Sequence, residues 1–476
     1  MSKIIKNALY QGAFQVLSVI LPLITVPIVS HRIGPKGLGL FNYSNSIVNY
    51  FVLVAGLGLV SYGVREIAAV RDSSEKMKQT FWELEWFNIV FSTLATITYI
   101  VLSFFLSDSW IYHIQILIMI GTVLDISWFF AGIEDFKLVS LVSIFVKFIS
   151  FFLIILYIKS SRDLPLYVMI VSMSTLLSQF IFWPLAIKKV GFRIIPLKIA
   201  FRHFKGAISF FTGRIASTVY TNLNKTLLGL LTSVSMVAYF SNTVLIINVV
   251  VTMLTTIDTV LLPRMTNLVS NQEEDSMILL LEKSIHLELF LTIPMMFGLI
   301  AIAPKFVLWF FGIKFMMVEQ LLIWMSVLLV VIPLSSAVVR QYLMPKGRMK
   351  EYNYSMLYSA LVSILLDIVL IPLIGISGAV IATLVAEFLV SGIRVYYLVK
   401  NTNFRFDYRE ILKYIISGIC MLIVVRLVTR MMTATILTTI LQVLLGTIVY
   451  ICLLIFYRSK LLKNLIVILG RKNNNE

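Results

Sequence analysis

GAISFFTGRIASTVYTNLNKTLLGLL, Gly206 to Leu231, is the stretch whose reading decides the fold. It has the length and apolar content of a membrane-spanning helix, yet it carries Arg214 and Lys225. Eleven residues separate the two cations. At about 100° per residue they project within ~20° of one another, roughly 16 Å apart along the axis. Thr218 and Thr221 fall on the same stripe, flanked by Ser217 and Asn222, and the opposite face is apolar. A cation inside a bilayer costs about 3 kcal/mol or more unless it meets a cavity, water or a partner. The stripe therefore has two readings: a helix lining a wet, positive cavity, or a helix whose cations pair with acids on its neighbours.

Composition agrees with a membrane setting. The chain has 476 residues, 59% of them hydrophobic, and a mean hydropathy of +0.95. No soluble core of this length needs so much apolar surface. We expect an all-α polytopic membrane protein with about fourteen transmembrane helices, at 8–30, 41–63, 83–106, 111–132, 139–158, 164–187, 206–231, 237–262, 284–304, 319–340, 354–374, 376–399, 411–430 and 434–457. The first apolar run lacks an A-x-A cleavage site and reads as a retained helix. The two cysteines, Cys420 and Cys452, fall in apolar runs without metal-ligand spacing.

The net charge of +17 would suggest nucleic acid in a soluble protein. Here topology accounts for it. With the N-terminus placed inside, 27 Lys and Arg fall in the cytoplasmic segments and 7 in the external ones, which predicts both termini inside. The most basic loop joins the sixth and seventh spans and holds Lys188, Lys189, Arg193, Lys198, Arg202 and Lys205. It reads as a surface segment on anionic lipid headgroups.

Shifting the chain by 199 residues lays Leu38-Gly39-Leu40-Phe41 on Val237-Ala238-Tyr239-Phe240, Arg65 on Arg264, and Gln15 on Arg214. Such a repeat divides the chain into an N-terminal six-helix lobe (1–187), a basic linker (188–205), a second six-helix lobe (206–400) and an added helix pair with a basic tail (401–476). Parallel repeats of this kind are a transporter signature.

Other ionisable residues lie within the spans. Asp125 and Lys147, in consecutive helices, read either as an ion pair or as a proton or cation site coupled to transport. Asp367 and Glu387, in adjacent helices, have the makings of a proton-sharing carboxylate pair. Asp258, Glu288 and Arg394 lie near span ends, where they are expected to snorkel. Trp82, Trp86, Trp110, Trp183 and Trp309 are expected at the membrane interfaces, and Trp128-Phe129-Phe130 suits either anchoring or sugar stacking. No G-x-x-x-x-G-K-[ST] loop, no H-E-x-x-H and no His/Cys cluster occurs, so neither a cofactor nor a metal is expected.

The run Ile28-Val29-Ser30-His31-Arg32-Ile33-Gly34-Pro35-Lys36-Gly37-Leu38-Gly39-Leu40-Phe41, followed by Ala55-Gly56-Leu57-Gly58 and Tyr62-Gly63-Val64-Arg65-Glu66-Ile67-Ala68, resembles a known family. It is similar to the polysaccharide-biosynthesis flippases, the Wzx-type O-antigen and capsule repeat-unit translocases of the multidrug/oligosaccharidyl-lipid/polysaccharide exporter superfamily. The resemblance implies a monomeric, non-enzymatic transporter in the bacterial cytoplasmic membrane. It implies flipping of an undecaprenyl-pyrophosphate-linked oligosaccharide by alternating access, with H⁺ or Na⁺ as coupling ion and the polysaccharide polymerase as a neighbour. It also implies a cationic cavity, for which this sequence offers Arg214 and Lys225, with Thr218, Thr221, Asn222 and Ser217 for sugar hydroxyls. Gln15 stands at the position in the first repeat that corresponds to Arg214. Three alternatives stay open: a cation-coupled multidrug exporter, a cell-wall lipid II flippase, and a membrane glycosyltransferase or ligase acting on the same lipid carrier.

Overall fold

The computed structural model describes residues 3–463, leaving aside the side chains of residues 3–9, 11, 13, 212–214, 216, 217, 219 and 220. Every regular element described is helical. Contacts group the chain into two compact units, Met1–Ala238 and Tyr239–Glu476.

The first unit holds α1 (Lys3–Gly56), α2 (Leu59–Val70), α3 (Ser74–Ser103), α4 (Ser109–Val123), α5 (Ser127–Gly132), α6 (Phe136–Tyr157), α7 (Leu164–Val190), the single turn α8 (Leu197–Ala200) and α9 (Phe204–Leu231). The helix α10 (Val234–Leu254) starts in this unit and runs into the second. There follow α11 (Thr256–Ser270), α12 (Glu274–Phe310), α13 (Met316–Met325) and α14 (Leu328–Val338), which ends in a π turn, Val339–Leu343. The chain closes with α15 (Met349–Ile374), α16 (Ile376–Asn401), α17 (Tyr408–Val428) and α18 (Ile436–Phe456).

Among the described residues, eleven helices are long and apolar enough to cross a membrane. There are twelve if the bent pair Ile313–Met325 and Leu328–Leu343, angled at 49°, is one span. The expected count was fourteen, and two differences account for the gap. The runs 8–30 and 41–63 share one helical segment, Phe14–Val70, of 57 residues. The loop expected between them is a kink at Gly34, whose φ of 77° suits glycine and whose successor, Pro35, disfavours the helical region before it. At 1.5 Å per residue this segment is about 85 Å long, against a hydrocarbon core of about 30 Å. The second difference is α9, which includes side chains outside the described set and is not in the count.

The core of the first unit is aromatic. Trp128 stacks on Phe81 with ring centroids 5.6 Å apart, and Phe129, Phe130 and Phe182 complete the cluster. Trp82, expected at an interface, is buried there instead and donates its indole N–H to the Gly191 carbonyl at 3.0 Å. The run Trp128-Phe129-Phe130 is likewise fully buried, so it packs the core and presents no stacking face. The second unit builds its core from α12, the π turn and α17, around Ile285, Leu289, Tyr342, Tyr414 and Met421.

Candidate functional site

The polar stripe of α9 packs on α1. Thr218, Asn222 and Thr226 recur every four residues, so they form one face. Opposite them, Ser46, Asn49 and Tyr50 form a polar patch on α1. Asn49 Nδ2 lies 3.4 Å from Asn222 Oδ1. The Thr226 hydroxyl is 2.9 Å from Ser46 Oγ and 3.0 Å from the Tyr50 hydroxyl. Asn222 is buried and also donates to the Thr218 carbonyl at 3.0 Å. The exposed Thr221 donates to the same carbonyl at 3.2 Å. In an apolar surrounding such groups need partners, and α1 supplies them.

Lys225 lies half-buried beside this seam. Among the described residues it has neither an ion pair nor a hydrogen-bond acceptor, so the α9 cation that can be followed has no acid beside it. The side chains of Arg214 and Ser217 lie outside the described residues. Gln15 is exposed on α1. One turn on, Ser18 accepts the Lys147 ammonium at 2.8 Å, and that ammonium also sits 4.7 Å from the Phe14 ring centroid. Asp125 Oδ1 accepts the Ser127 amide at 2.9 Å, inside the turn between α4 and α5.

A second polar assembly ties the basic linker to the first unit. Glu83 of α3 is fully buried. It accepts from Gln79 at 2.8 Å, lies 3.0 Å from His203 Nε2, and pairs with Arg202. The other ring nitrogen of His203 meets the Tyr62 hydroxyl at 2.9 Å. Arg65 lies 5.2 Å from the ring centroids of both Tyr62 and Phe210. The linker thus docks through its buried His203 while its lysines stay exposed. Glu83 escaped the sequence reading because it sits at the first position of an apolar run.

In the second unit the charges expected to snorkel do not. Asp258, Glu288 and Arg394 are all buried, at 0%, 2% and 6% exposure. Each is covered by polar groups from neighbouring helices. Gln341 Nε2 donates to Asp258 Oδ1 at 2.8 Å and reaches Glu288 Oε1 at 3.5 Å. Arg394 donates to Ser335 at 2.8 Å and Ser355 at 3.0 Å and lies over the Tyr352 ring. Asp367 is buried with Ser363 Oγ at 3.4 Å. Glu387 is partly buried on α16, seven residues before Arg394. Among the described residues no group of three or more His, Cys, Asp or Glu side chains is placed to hold a metal ion.

Residues 4–269 match the model of a family described as "Polysaccharide biosynthesis protein". The chain belongs to that family. It is a family of membrane transporters serving polysaccharide synthesis, not of enzymes, and this member is a multi-pass membrane protein. A similar curated protein is "Putative O-antigen transporter" of Escherichia coli (strain K12), 23% identical over 406 residues, covering 83% of this chain and 97% of the relative. Among solved structures, the chain is similar to the inward closed conformation of lipid II flippase MurJ. The TM-score is 0.75 at 18% identity, over 95% of this chain and 99% of that one. It is also similar to an inward-facing multidrug resistance MATE family transporter of the MOP superfamily, with a TM-score of 0.59 at 13% identity, over 82% and 97% of the two chains. At these identities the two structures establish the fold.

Proposed function

We propose that this transporter moves an undecaprenyl-pyrophosphate-linked oligosaccharide repeat unit across the bacterial cytoplasmic membrane for surface polysaccharide synthesis, by alternating access. Lys225 carries the reading. It is a cation within an apolar helix, on a stripe of hydroxyls and amides, with no acid beside it among the described residues. A structural ion pair would explain an intramembrane lysine without function, and that explanation lacks its acid. A pyrophosphate would supply the missing anion. Arg214 lies on the same stripe by helical spacing and would add a bidentate contact, while Lys225 acts as a compact point charge. Thr218, Thr221, Asn222 and Ser217 offer hydrogen bonds of the kind that sugar hydroxyls take.

The polysaccharide family and the "Putative O-antigen transporter" of E. coli support a glycan cargo over a cationic drug. The positive stripe points the same way, because a cationic drug would be repelled by it. We further propose fourteen crossings with both termini inside. Phe14–Val70 is long enough to cross twice, and α9 adds one more to the twelve. The protein works as a monomer in this reading, beside the polymerase that consumes its cargo.

The test is translocation of a lipid-pyrophosphate-linked oligosaccharide in proteoliposomes, comparing wild type with Arg214→Ala and Lys225→Ala. Loss of transport in a folded variant supports the reading. Normal transport by both variants removes the cationic stripe from the substrate path.

A further inference from the structure

The second unit contains a buried group of acceptors with too few donors. On α12, Ser284, Glu288 and Thr292 recur every four residues and line one face. Asp258 approaches from the first turn of α11, and Gln341 from the π turn. Gln341 Nε2 is the shared donor, to Asp258 at 2.8 Å, to Ser284 Oγ at 2.9 Å and toward Glu288 at 3.5 Å. Two N–H bonds cannot satisfy three acceptors fully. Asp258 Oδ2, Glu288 Oε2, Gln341 Oε1 and Thr292 Oγ1 remain buried with no hydrogen-bond partner. The side chains of Gln341 and Thr292 are themselves almost wholly buried.

Among the described residues, no cation on the surrounding elements neutralises the two carboxyls. Arg340, on the same π turn, donates to Thr259 instead. On α12, Lys283 is exposed and His286 takes the Asp407 amide at 3.1 Å. Arg264 of α11 is exposed. Lys346 pairs with Glu274, and Arg394 binds Ser335 and Ser355. Of the remaining acids, Glu282 accepts the Arg405 amide at 3.0 Å. Tyr450 donates to the Phe290 carbonyl at 3.0 Å, and the ring of Tyr414 packs on that of Phe290. Two adjacent carboxylates cannot both stay ionised in such a site. The carboxyls of Asp258 and Glu288 face the same amide nitrogen, Gln341 Nε2, at 2.8 and 3.5 Å.

We infer that Asp258 and Glu288 form a proton-binding site, holding one proton between them and releasing it to drive the transport cycle. The coupling half rests on the transport reading above; the proton site does not. The geometry also says what would respond. Backbone regularity breaks on both sides of the pair, at Thr255 between α10 and α11 and at the π turn that carries Gln341. A π turn gives up ordinary helical hydrogen bonding and occurs mostly at functional positions. Loss of the proton leaves two charges in a dry site, which must then admit water or separate. α11 and the π turn are the pieces free to do so.

The first experiment needs no substrate. Infrared difference spectra of the purified protein in nanodiscs, taken between mildly acidic and alkaline buffer, are expected to show a protonated carboxyl lost on alkalinisation. Glu288→Gln and Asp258→Asn should both lack that signal. Absence of the signal in wild type, or its survival in both variants, overturns the site, as does its disappearance on adding sodium at constant pH. The wild-type titration stands even if a variant fails to fold. The second experiment imposes a pH gradient on proteoliposomes. Wild-type flipping should accelerate, and Glu288→Gln should flip at one rate with or without the gradient. A wild type that flips at a gradient-independent rate overturns the coupling. A wild type that flips nothing while the infrared signal holds removes the transport reading and leaves the proton site.

Discussion

His203 Nε2 lies 3.0 Å from Glu83 Oε2, so the linker entering α9 is fastened to α3 by a buried carboxylate. The same carboxylate takes Arg202 and Gln79. Replacing it strands several donors at once. Removing one partner of a buried ion pair typically costs about 3–5 kcal/mol. The exposure of Arg202 lowers that to roughly 2 kcal/mol, because its charge can rehydrate. Glu83→Ala should therefore lower the thermal unfolding midpoint in detergent, and Arg202→Ala should lower it far less. Equal shifts for the two would show that the buried carboxylate is not the anchor.

Gly58 sets the turn between α1 and α2 with a φ of 78°. A Cβ there would meet the Ala207 carbonyl oxygen at 2.4 Å and the Phe211 amide at 2.7 Å. Gly58→Ala thus faces both backbone strain and a clash with the backbone of α9. It should reduce the yield of folded protein, whereas Gly56→Ala, in open space, should not. Comparing monodisperse fractions of the two variants decides this.

The Thr226 hydroxyl holds Ser46 and Tyr50 of α1 against α9. Thr226→Val keeps the shape and removes the hydrogen bonds. A net loss of about 1 kcal/mol per bond is the usual scale. Amide hydrogen exchange across residues 221–230 should speed up, with transport reduced but measurable. Unchanged exchange would mean that packing alone holds this seam.

Asp407 and Lys460 fix the end of α18 to the start of α17, 2.9 Å apart. The Lys460 ammonium, with the Glu410 amide, holds the Asp407 carboxyl below its usual range, and Asp407 raises Lys460. The signs differ. The Asp407 contribution is fully present above a carboxylate's unfolded value of about 4, and is lost as pH falls through its lower folded value. The Lys460 contribution is present below about 10.4, and is lost as pH rises through its higher folded value. Hydrogen exchange near Ser459 should therefore increase at both extremes of pH. Asp407→Asn should abolish both limbs, and survival of either would show that this pair is not its cause.

The membrane class, the helical content and the family were legible in the chain itself. Each rests on properties that do not depend on contacts: length of apolar runs, a basic bias between loops, and the motif from Ile28 to Ala68. The polar stripe of α9 was legible for the same reason, since helical periodicity alone puts Thr218, Asn222 and Lys225 near one face. What covers a charge was not legible. Asp258, Glu288 and Arg394 sit at positions where a lone helix would let them snorkel, yet Gln341, Ser335 and Ser355 arrive from far along the chain to bury them. Ser46, Asn49 and Tyr50 meet Asn222 and Thr226 across more than 170 residues of sequence. Periodicity tells which side chains share a face; only tertiary packing decides what that face meets. In a bilayer that meeting sets whether a polar group is paired, solvated or left to bind something else.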